Sequence, residues 1–253
     1  MGLFDKKYCD VCGEKISLLG NKKLEDGNLC KDCAAKLSPW FSDRKRSTVE
    51  DIKAQLVYRE ENKAKVAAFH TTKTLGKGTK VLLDEDAGCF IVTAAGNLTQ
   101  ANPDVMLLSD ITGCSVDTDE NRSELKRRTA DGKEVSFVPP RYEYRYDFYV
   151  TVNVNNPYFN EIRFRLNPST VTIEPGPVRP GMAFNPKTNP EYLEYQNLGS
   201  EIKRTLTQVQ KQIRADAVAA AAPRKKVTCP YCGATTIPDA SGCCEYCGGA
   251  VNG

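Results

Sequence analysis

Strict alternation of hydrophobic and polar positions is clearest between Arg141 and Asn155. Apolar and aromatic side chains occupy one set of positions, namely Tyr142, Tyr144, Tyr146, Phe148, Val150, Val152 and Val154. The intervening positions are polar or charged apart from one tyrosine, namely Arg141, Glu143, Arg145, Asp147, Tyr149, Thr151 and Asn153. A period of two predicts an antiparallel strand with one buried and one solvated face. The aromatic stripe is therefore predicted to be core rather than a base-stacking platform, because the arginines lie on the opposite face.

The same period holds over residues 79–174 as a whole. The segment KVLLDEDAGCFIVTA predicts two strands joined by an acidic turn, and DVMLLSDITGCSVDTD predicts two more short strands. NNPYFN predicts a turn, after which Ile162, Phe164 and Leu166 define a returning strand. Cys89 and Cys114 fall within this region, apart from any C-x-x-C partner, and we expect both to be buried as small hydrophobic residues.

Helical spacing precedes the β region. Ser47 is a candidate N-cap with Glu50 three residues later, and apolar positions follow at Val49, Ile52 and Leu56. We predict a helix that ends near Phe69 and is polar in its middle. Trp40 and Phe41 come before this helix, and we expect them to pack against the cysteine-rich segment at the start of the chain.

A second helix is predicted after the β region. A Pro/Gly/Asn-rich stretch covers residues 175–190, and an apolar stripe at steps of four, four, three and four follows. Its members are Leu198, Ile202, Leu206, Val209 and Ile213. We expect this stripe to pack on the sheet. Residues 217–226, AVAAAAPRKK, are predicted to be a tether to the last segment.

Cysteine spacing supplies the candidate chemistry. Two sets of paired C-x-x-C motifs lie near the two ends of the chain: Cys9, Cys12, Cys30 and Cys33 in the first, and Cys229, Cys232, Cys244 and Cys247 in the second. Four thiolates complete a closed tetrahedral shell around Zn²⁺, with sulfur about 2.3 Å from the metal. Gly13 and Gly233 each follow the second cysteine of a pair and suit the positive φ of such a tight turn. The sequence predicts one zinc ion per set.

Two other chemistries compete with zinc for these cysteines. Iron–sulfur ligation is the main chemical competitor. A thioredoxin-like redox pair would begin a helix in an α/β domain, a setting that we predict for neither set. Cys243 stands beside Cys244, but Cys244 alone gives C-x-x-C spacing with Cys247, so we interpret Cys243 as a neighbour rather than a ligand.

We predict that the protein is not an enzyme. Both zinc sets are saturated with cysteine, whereas a catalytic zinc keeps a position open for water. The chain has one histidine, His70, which we interpret as a boundary or capping residue because no nucleophile motif accompanies it. The glycines of LGKGTK, residues 75–80, lack the strand and helix context of a phosphate-binding loop and predict a linker turn.

Composition and charge constrain compartment and partner. The chain has 253 residues, 40% hydrophobic and 26% charged, without an apolar run long enough to span a bilayer. The opening MGLFDKK lacks the apolar stretch of a secretory signal, so we expect a reducing cytoplasm. Eight zinc-bound thiolates remove eight charges and two Zn²⁺ ions add four, which changes the formal charge from +3 to −1. Such a chain is not an obvious polyanion binder, and three basic runs, at 44–46, 126–128 and 224–226, are interpreted as solvated surface.

Three segments of the sequence resemble known families. The short strands, the phrase LLSDITGCSVD and the closing helix resemble the bacterial pleckstrin-homology (PH)/GRAM-like fold. KYCDVCGEKISLLGNKKLEDGNLCKDC resembles a four-cysteine module of an uncharacterised bacterial family known as a domain of unknown function, and CPYCGATTIPDASGCCEYCGG resembles the common zinc ribbon. None of these families brings a catalytic residue, so the resemblance implies binding and scaffolding. The acidic turn Asp84, Glu85 and Asp86 departs from the basic first hairpin of phosphoinositide-binding members.

Together these patterns predict a multi-domain α+β protein. The expected order is a four-cysteine zinc module at 1–38, a helical connector at 39–74, a PH/GRAM-like β domain with its closing helix at 75–217, a linker at 218–226 and a zinc ribbon at 227–253. The predicted function is that of a zinc-binding adaptor whose partner is another protein. The alternatives are a nucleic-acid-binding ribbon protein and a peripheral membrane protein that uses its β domain.

Overall fold

The computed structural model describes residues 6–17, 19–175, 184–221, 226–239 and 241–251. The chain forms two compact units, Met1–Gln210 and Lys211–Gly253. The predicted α+β class is confirmed, because antiparallel sheets, a four-cysteine cluster towards each end of the chain and a C-terminal helix are all present.

The first unit begins with a small four-cysteine module. Its elements are the paired strands β1 (Lys22–Lys23) and β2 (Asn28–Leu29) and the short helix α1 (Lys31–Ala35). A 3₁₀ turn at Arg44–Arg46 leads into the helix α2, Val49–Ala68.

The start of α2 differs by one residue from the sequence prediction. Thr48 is the N-cap: its hydroxyl accepts from the N–H of Asp51 at 3.2 Å, and the Asp51 carboxylate accepts from the N–H of Thr48 at 2.8 Å. The Ser47 hydroxyl instead donates to the carbonyl of Asp43 at 3.0 Å, so it is engaged in closing the preceding turn. The predicted helix end is confirmed, since Phe69 is the C-cap.

A four-stranded meander follows α2. Its strands are β3 (Lys73–Leu75), β4 (Lys80–Asp84), β5 (Cys89–Thr93) and β6 (Val105–Leu107), with the short helix α3 (Leu98–Ala101) between the last two. The predicted acidic turn joins β4 to β5. Both faces of this sheet are covered, because consecutive residues of β4 (Val81, Leu82 and Leu83) are all buried. On one face Leu82 packs with Val66 of α2.

The second sheet is built on one long hairpin. Its strands are β7 (Ile111–Arg128), β8 (Glu134–Val154), β9 (Glu161–Arg165) and β10 (Val171–Ile173). β8 pairs with β7 on one side and with both β9 and β10 on the other. The predicted stripe is buried from Tyr146 to Val154, whereas Tyr142 and Tyr144 are half-buried. β7 is 18 residues long rather than the short strand predicted, so the hairpin extends past the rest of the sheet.

The helix α4, Pro190–Ala221, packs on β8. The Tyr192 and Tyr195 rings lie 5.1 and 5.8 Å from the ring of Phe148, and a Cβ at Gly199 would lie 2.7 Å from Val116. The predicted stripe is confirmed at Ile202 and Leu206, which are fully buried, but the buried face begins two turns earlier with the tyrosines. Leu198, Val209 and Ile213 are half-buried.

Past α4, residues 222–225 of the predicted linker lie outside the described residues, as do residues 176–183 of the Pro/Gly/Asn-rich stretch. The last segment contains the paired strands β11 (Val227–Thr228) and β12 (Thr235–Thr236). Among the described helices, none combines the length and apolar character needed to cross a membrane.

Candidate metal centres

Each predicted cysteine set converges on one point. The four sulfur atoms of a set all lie within 4.8 Å of one another. Individual sulfur–sulfur distances are 3.7 Å for Cys12–Cys30, 3.5 Å for Cys229–Cys247 and 3.7 Å for Cys232–Cys244. A tetrahedral ion with sulfur at about 2.3 Å requires separations of about 3.8 Å, whereas a disulfide requires about 2.05 Å. All eleven cysteines are free thiols, and the spacing fits a shared metal ion.

Three of the four C-x-x-C pairs adopt the same turn. In each, the glycine after the second cysteine donates its N–H to the carbonyl of the first, at 2.8 Å for Gly13, 2.9 Å for Gly233 and 2.8 Å for Gly248. Their φ angles are 77°, 72° and 69°, which residues with a Cβ rarely adopt. The C-x-x-C-Gly pattern in the sequence predicted Gly13 and Gly233. Gly248 has the same position after Cys247 and could have been found from the same pattern.

The fourth pair departs from the prediction. Cys30 is the N-cap of α1 and its sulfur accepts from the N–H of Cys33 at 3.4 Å, so this C-x-x-C does begin a helix. Ala34, in the helix, replaces the glycine of the other pairs. The sulfurs of Cys9 and Cys12 complete the same cluster, which distinguishes it from an isolated redox pair.

Backbone N–H groups favour one thiolate in each set. Burial opposes ionisation of Cys9, but the N–H groups of Cys12, Cys30 and Val11 together lower the pKa of its thiol to about 6. In the second set burial again opposes ionisation, and backbone N–H groups near Cys229 lower the pKa of its thiol to about 7. A thiolate is thus available at neutral pH to receive a cation. Burial, followed by the neighbouring sulfurs, raises the pKa of Cys33, a cost that a divalent cation would offset.

The first centre lies in a hydrophobic cluster. Its buried members besides three of the cysteines are Ile16, Leu24, Leu29, Leu37 and Ile52. Val49 and Leu56 of α2 pack against this cluster, and so does Phe41, as predicted; Trp40 is not among its members.

The second centre has a much smaller apolar surrounding. Cys229, Cys244 and Val251 form its buried cluster, with Val227 partly buried against them. Cys243 lies outside the four-sulfur set, and its thiol points at the carbonyl of Ser241 at 3.8 Å. The geometry therefore groups the eight predicted cysteines as expected, while metal ligation itself stays a prediction.

The remaining cysteines correct one expectation. Cys89 and Cys114 are half-buried rather than fully buried. Burial nevertheless raises the pKa of Cys114 to about 11 and also raises that of Cys89, so both are thiols at neutral pH. Neither belongs to a described metal-ligand cluster.

A buried polar network on α2 was not predicted. The Arg59 guanidinium pairs with the Asp104 carboxylate at 2.8 Å, and their side chains are 9% and 0% exposed. Asp104 also accepts from the Ser38 hydroxyl at 2.8 Å, and Arg59 donates to the carbonyl of Lys36 at 3.3 Å. The segment after α1 is thereby joined to the residue preceding β6. Arg59 follows Ile52 and Leu56 at helical spacing, which is the sequence feature that places it on the buried face.

Two further features, His70 and a nearby cleft, lie where the end of α2 meets the first sheet. His70 lies between α2 and β3, as predicted, and its N–H donates to Asp84 at 2.9 Å. A cleft of about 560 Å³ opens nearby, with a wall that is mainly apolar and includes Phe69, Cys89 and Leu107.

Comparison with known proteins bears on the first centre. Residues 7–55 match a family described as a domain of unknown function (DUF4428), a range that contains the whole first cysteine set. The predicted resemblance of this module to an uncharacterised family is confirmed. No curated protein and no solved structure matched the chain.

Proposed function

We propose that the chain is a zinc-stabilised adaptor that binds another protein and catalyses no reaction. Four cysteine sulfurs around each ion would leave no coordination position for water or substrate, so the zinc would be structural. Thiolate-only shells of this kind are typical of zinc among divalent metals.

The observation that carries the choice of partner is the surface of the C-terminal ribbon. Residues 227–253 contain Asp239 and Glu245 but neither lysine nor arginine. A zinc ion with four thiolates adds a formal charge of about −2 to this segment. Tyr231 and Tyr246 are 72% and 70% exposed, one in each C-x-x-C turn. Exposed aromatic rings in an acidic surface favour lysine or arginine side chains of a protein partner through cation–π contacts.

Charge argues against both alternatives, through the ribbon for nucleic acid and through the β domain for membranes. Nucleic-acid affinity derives mainly from cations that neutralise phosphates, and residues 227–253 carry none; the basic run at 224–226 precedes them. In the β domain the turn after β4 carries Glu85 and Asp86, which repel anionic headgroups. The order of a four-stranded meander, a second antiparallel sheet and a closing helix supports the proposed PH-like scaffold.

Metal content tests the zinc assignment. Purified protein should contain two zinc ions per chain by mass spectrometry and show no absorption in the visible region. One zinc per chain, or a brown iron-containing protein, would contradict the assignment.

Partner class is tested with defined probes. Zinc-loaded protein should bind arrayed peptides rich in lysine and arginine, and Tyr231→Ala with Tyr246→Ala should abolish this binding. Tyr8→Ala is the matched control, because Tyr8 is 54% exposed and precedes the first cysteine set. Binding to a DNA or RNA oligonucleotide that weakens steeply with salt would favour the nucleic-acid alternative. Sedimentation with anionic vesicles would favour the membrane alternative.

A further inference from the structure

β7 presents a long free edge. β8 pairs with it on one side from Ile111 to Arg128, and no other described strand pairs with its opposite side. Unpaired N–H and C=O groups along such an edge are a template for a further strand. β10 pairs with β8 at Tyr144–Tyr146, and between there and the β7–β8 turn the hairpin is two-stranded among the described strands. A two-stranded ribbon is marginally stable and gains most from an added strand.

Charges alternate in sign along this edge. Glu120, Arg122, Glu124 and Lys126 follow at every second residue and therefore share one face of the strand. All four are exposed. In the described part of the chain, Glu124 and Lys126 form no salt bridge, and Arg122 lies over the Tyr142 ring, 3.8 Å from its centroid. Glu120 is hydrogen-bonded to the Tyr146 side chain, so Glu124 and Lys126 are the ionic groups of this edge that have no partner within the described part of the chain.

We propose that β7 pairs antiparallel with β7 of a second copy of this chain. The twofold axis passes midway between the two Ser123 residues, which lie opposite each other. In this register Arg122 faces Glu124 of the second copy and Glu120 faces its Lys126. On the other strand face Asp119 lies opposite Arg127, although Arg163 of the same chain already lies 3.7 Å from Asp119. Every charged pair across the axis then joins opposite signs, which stabilises cross-strand contacts.

Neighbouring registers lack this complementarity. In a twofold dimer, two residues that lie opposite each other project on the same side of the sheet. The sum of their residue numbers is therefore even, and the allowed registers differ by two in that sum. An axis through Arg122 sets that arginine opposite itself and Glu120 opposite Glu124. An axis through Glu124 sets Glu124 opposite itself and Arg122 opposite Lys126. Like charges across a strand pair are destabilising, so the Ser123 register is favoured over both of these neighbours. An axis at Asn121 also sets Glu120 opposite Arg122, but it pairs neither Glu124 nor Lys126 with an opposite charge.

Charge reversal and its rescue test the interface. Sedimentation equilibrium of the zinc-loaded full chain should give twice the chain mass at low salt. Glu124→Arg should lose the dimer, because it sets two cations opposite each other, and the double variant Arg122→Glu with Glu124→Arg should restore it. Glu60→Arg, an exposed site on α2 with the same charge change, should leave the dimer intact. Circular dichroism establishes that each variant is folded.

Cross-linking tests the register independently. Ser123→Cys should form an intermolecular disulfide under mild oxidation, since the two residues face each other on the axis, whereas Ser115→Cys should not. A monomer at all protein concentrations would overturn the proposal, as would a dimer that survives Glu124→Arg. Equal cross-linking through Ser115→Cys and Ser123→Cys would also overturn it.

Discussion

The two centres each contain a set of four cysteine thiols, in different surroundings. The first is enclosed by Ile16, Leu24, Leu29, Leu37 and Ile52, together with the N-terminal half of α2. The second has Val251 as its one fully buried aliphatic neighbour among the described residues. A segment of about 25 residues buries too little surface to fold alone, so we expect metal binding to supply its folding free energy. The dependence of a site on its metal is therefore set by the apolar residues around it.

The residues directly after α1 also hold the first centre in place through buried hydrogen bonds. Ser38 and Lys36, just after α1, bond to Asp104 and Arg59. These contacts join the four-cysteine module to the sheet within the first compact unit.

Chelation should affect the two ends unequally. Removing zinc with a strong chelator should abolish hydrogen-exchange protection across residues 229–247 and leave the thermal transition of the β domain largely in place. The first centre should lose part of its protection, because its hydrophobic cluster remains. An equal loss of protection in the β region would show that the modules are not independent.

Single cysteine substitutions separate ligands from neighbours. Cys244→Ser should remove one equivalent of zinc and unfold the ribbon, because three thiolates hold the ion poorly. Cys243→Ser is the matched control and should retain two equivalents, as should Cys89→Ser and Cys114→Ser. Zinc analysis of the purified variants decides this, and the reverse result for Cys243 and Cys244 would contradict the assignment.

The buried ion pair should stabilise the first unit alone. Asp104→Ala leaves the Arg59 guanidinium buried without a counter-ion, which we expect to cost about 3–5 kcal/mol in free energy of unfolding. Zinc retention should weaken at the first centre and stay unchanged in the ribbon. Glu60→Ala, in an exposed pair with Lys63, should change the free energy by less than about 1 kcal/mol. Urea unfolding provides the measurement; equal effects of the two substitutions would contradict the role of the network.

Acid should reveal a smaller contribution from Asp84. The N–H groups of His70 and Ala87 lower the pKa of this carboxyl in the folded state. Its stabilisation is therefore complete above the unfolded pKa of about 3.9 and is lost as the pH falls through the folded value. Asp84→Asn should lower stability at neutral pH and flatten its decline in acid. Urea unfolding at several pH values gives the free energy of unfolding of the variant and of the unmodified protein, and their difference isolates the contribution of Asp84. An identical pH dependence of the two proteins would contradict the prediction.

The sequence by itself determined the elements whose signal is local. Paired C-x-x-C motifs predicted the two four-cysteine groups, because the thiols of one C-x-x-C turn lie close together and a short loop joins the two turns of each set. Alternation located β8, and apolar steps of three and four located α2 and α4, since both periods follow from the geometry of a single element. Two of the three turn glycines, Gly13 and Gly233, were predicted for the same reason, because positive φ is a property of one residue.

Tertiary structure alone decided which polar residues are buried and how far β7 extends. Arg59 in the polar middle of α2 is buried because Asp104, 45 residues later, meets it there. The extra length of β7 carries mostly charged and polar side chains, and its pairing with β8 rather than any hydrophobic pattern makes it a strand. Cys89 and Cys114 are half-buried because neighbouring elements cover them only in part. Helical spacing places Arg59 on the face of α2 that carries Ile52 and Leu56, but it does not identify the carboxylate that meets it. Each of these outcomes depends on which distant surfaces come together.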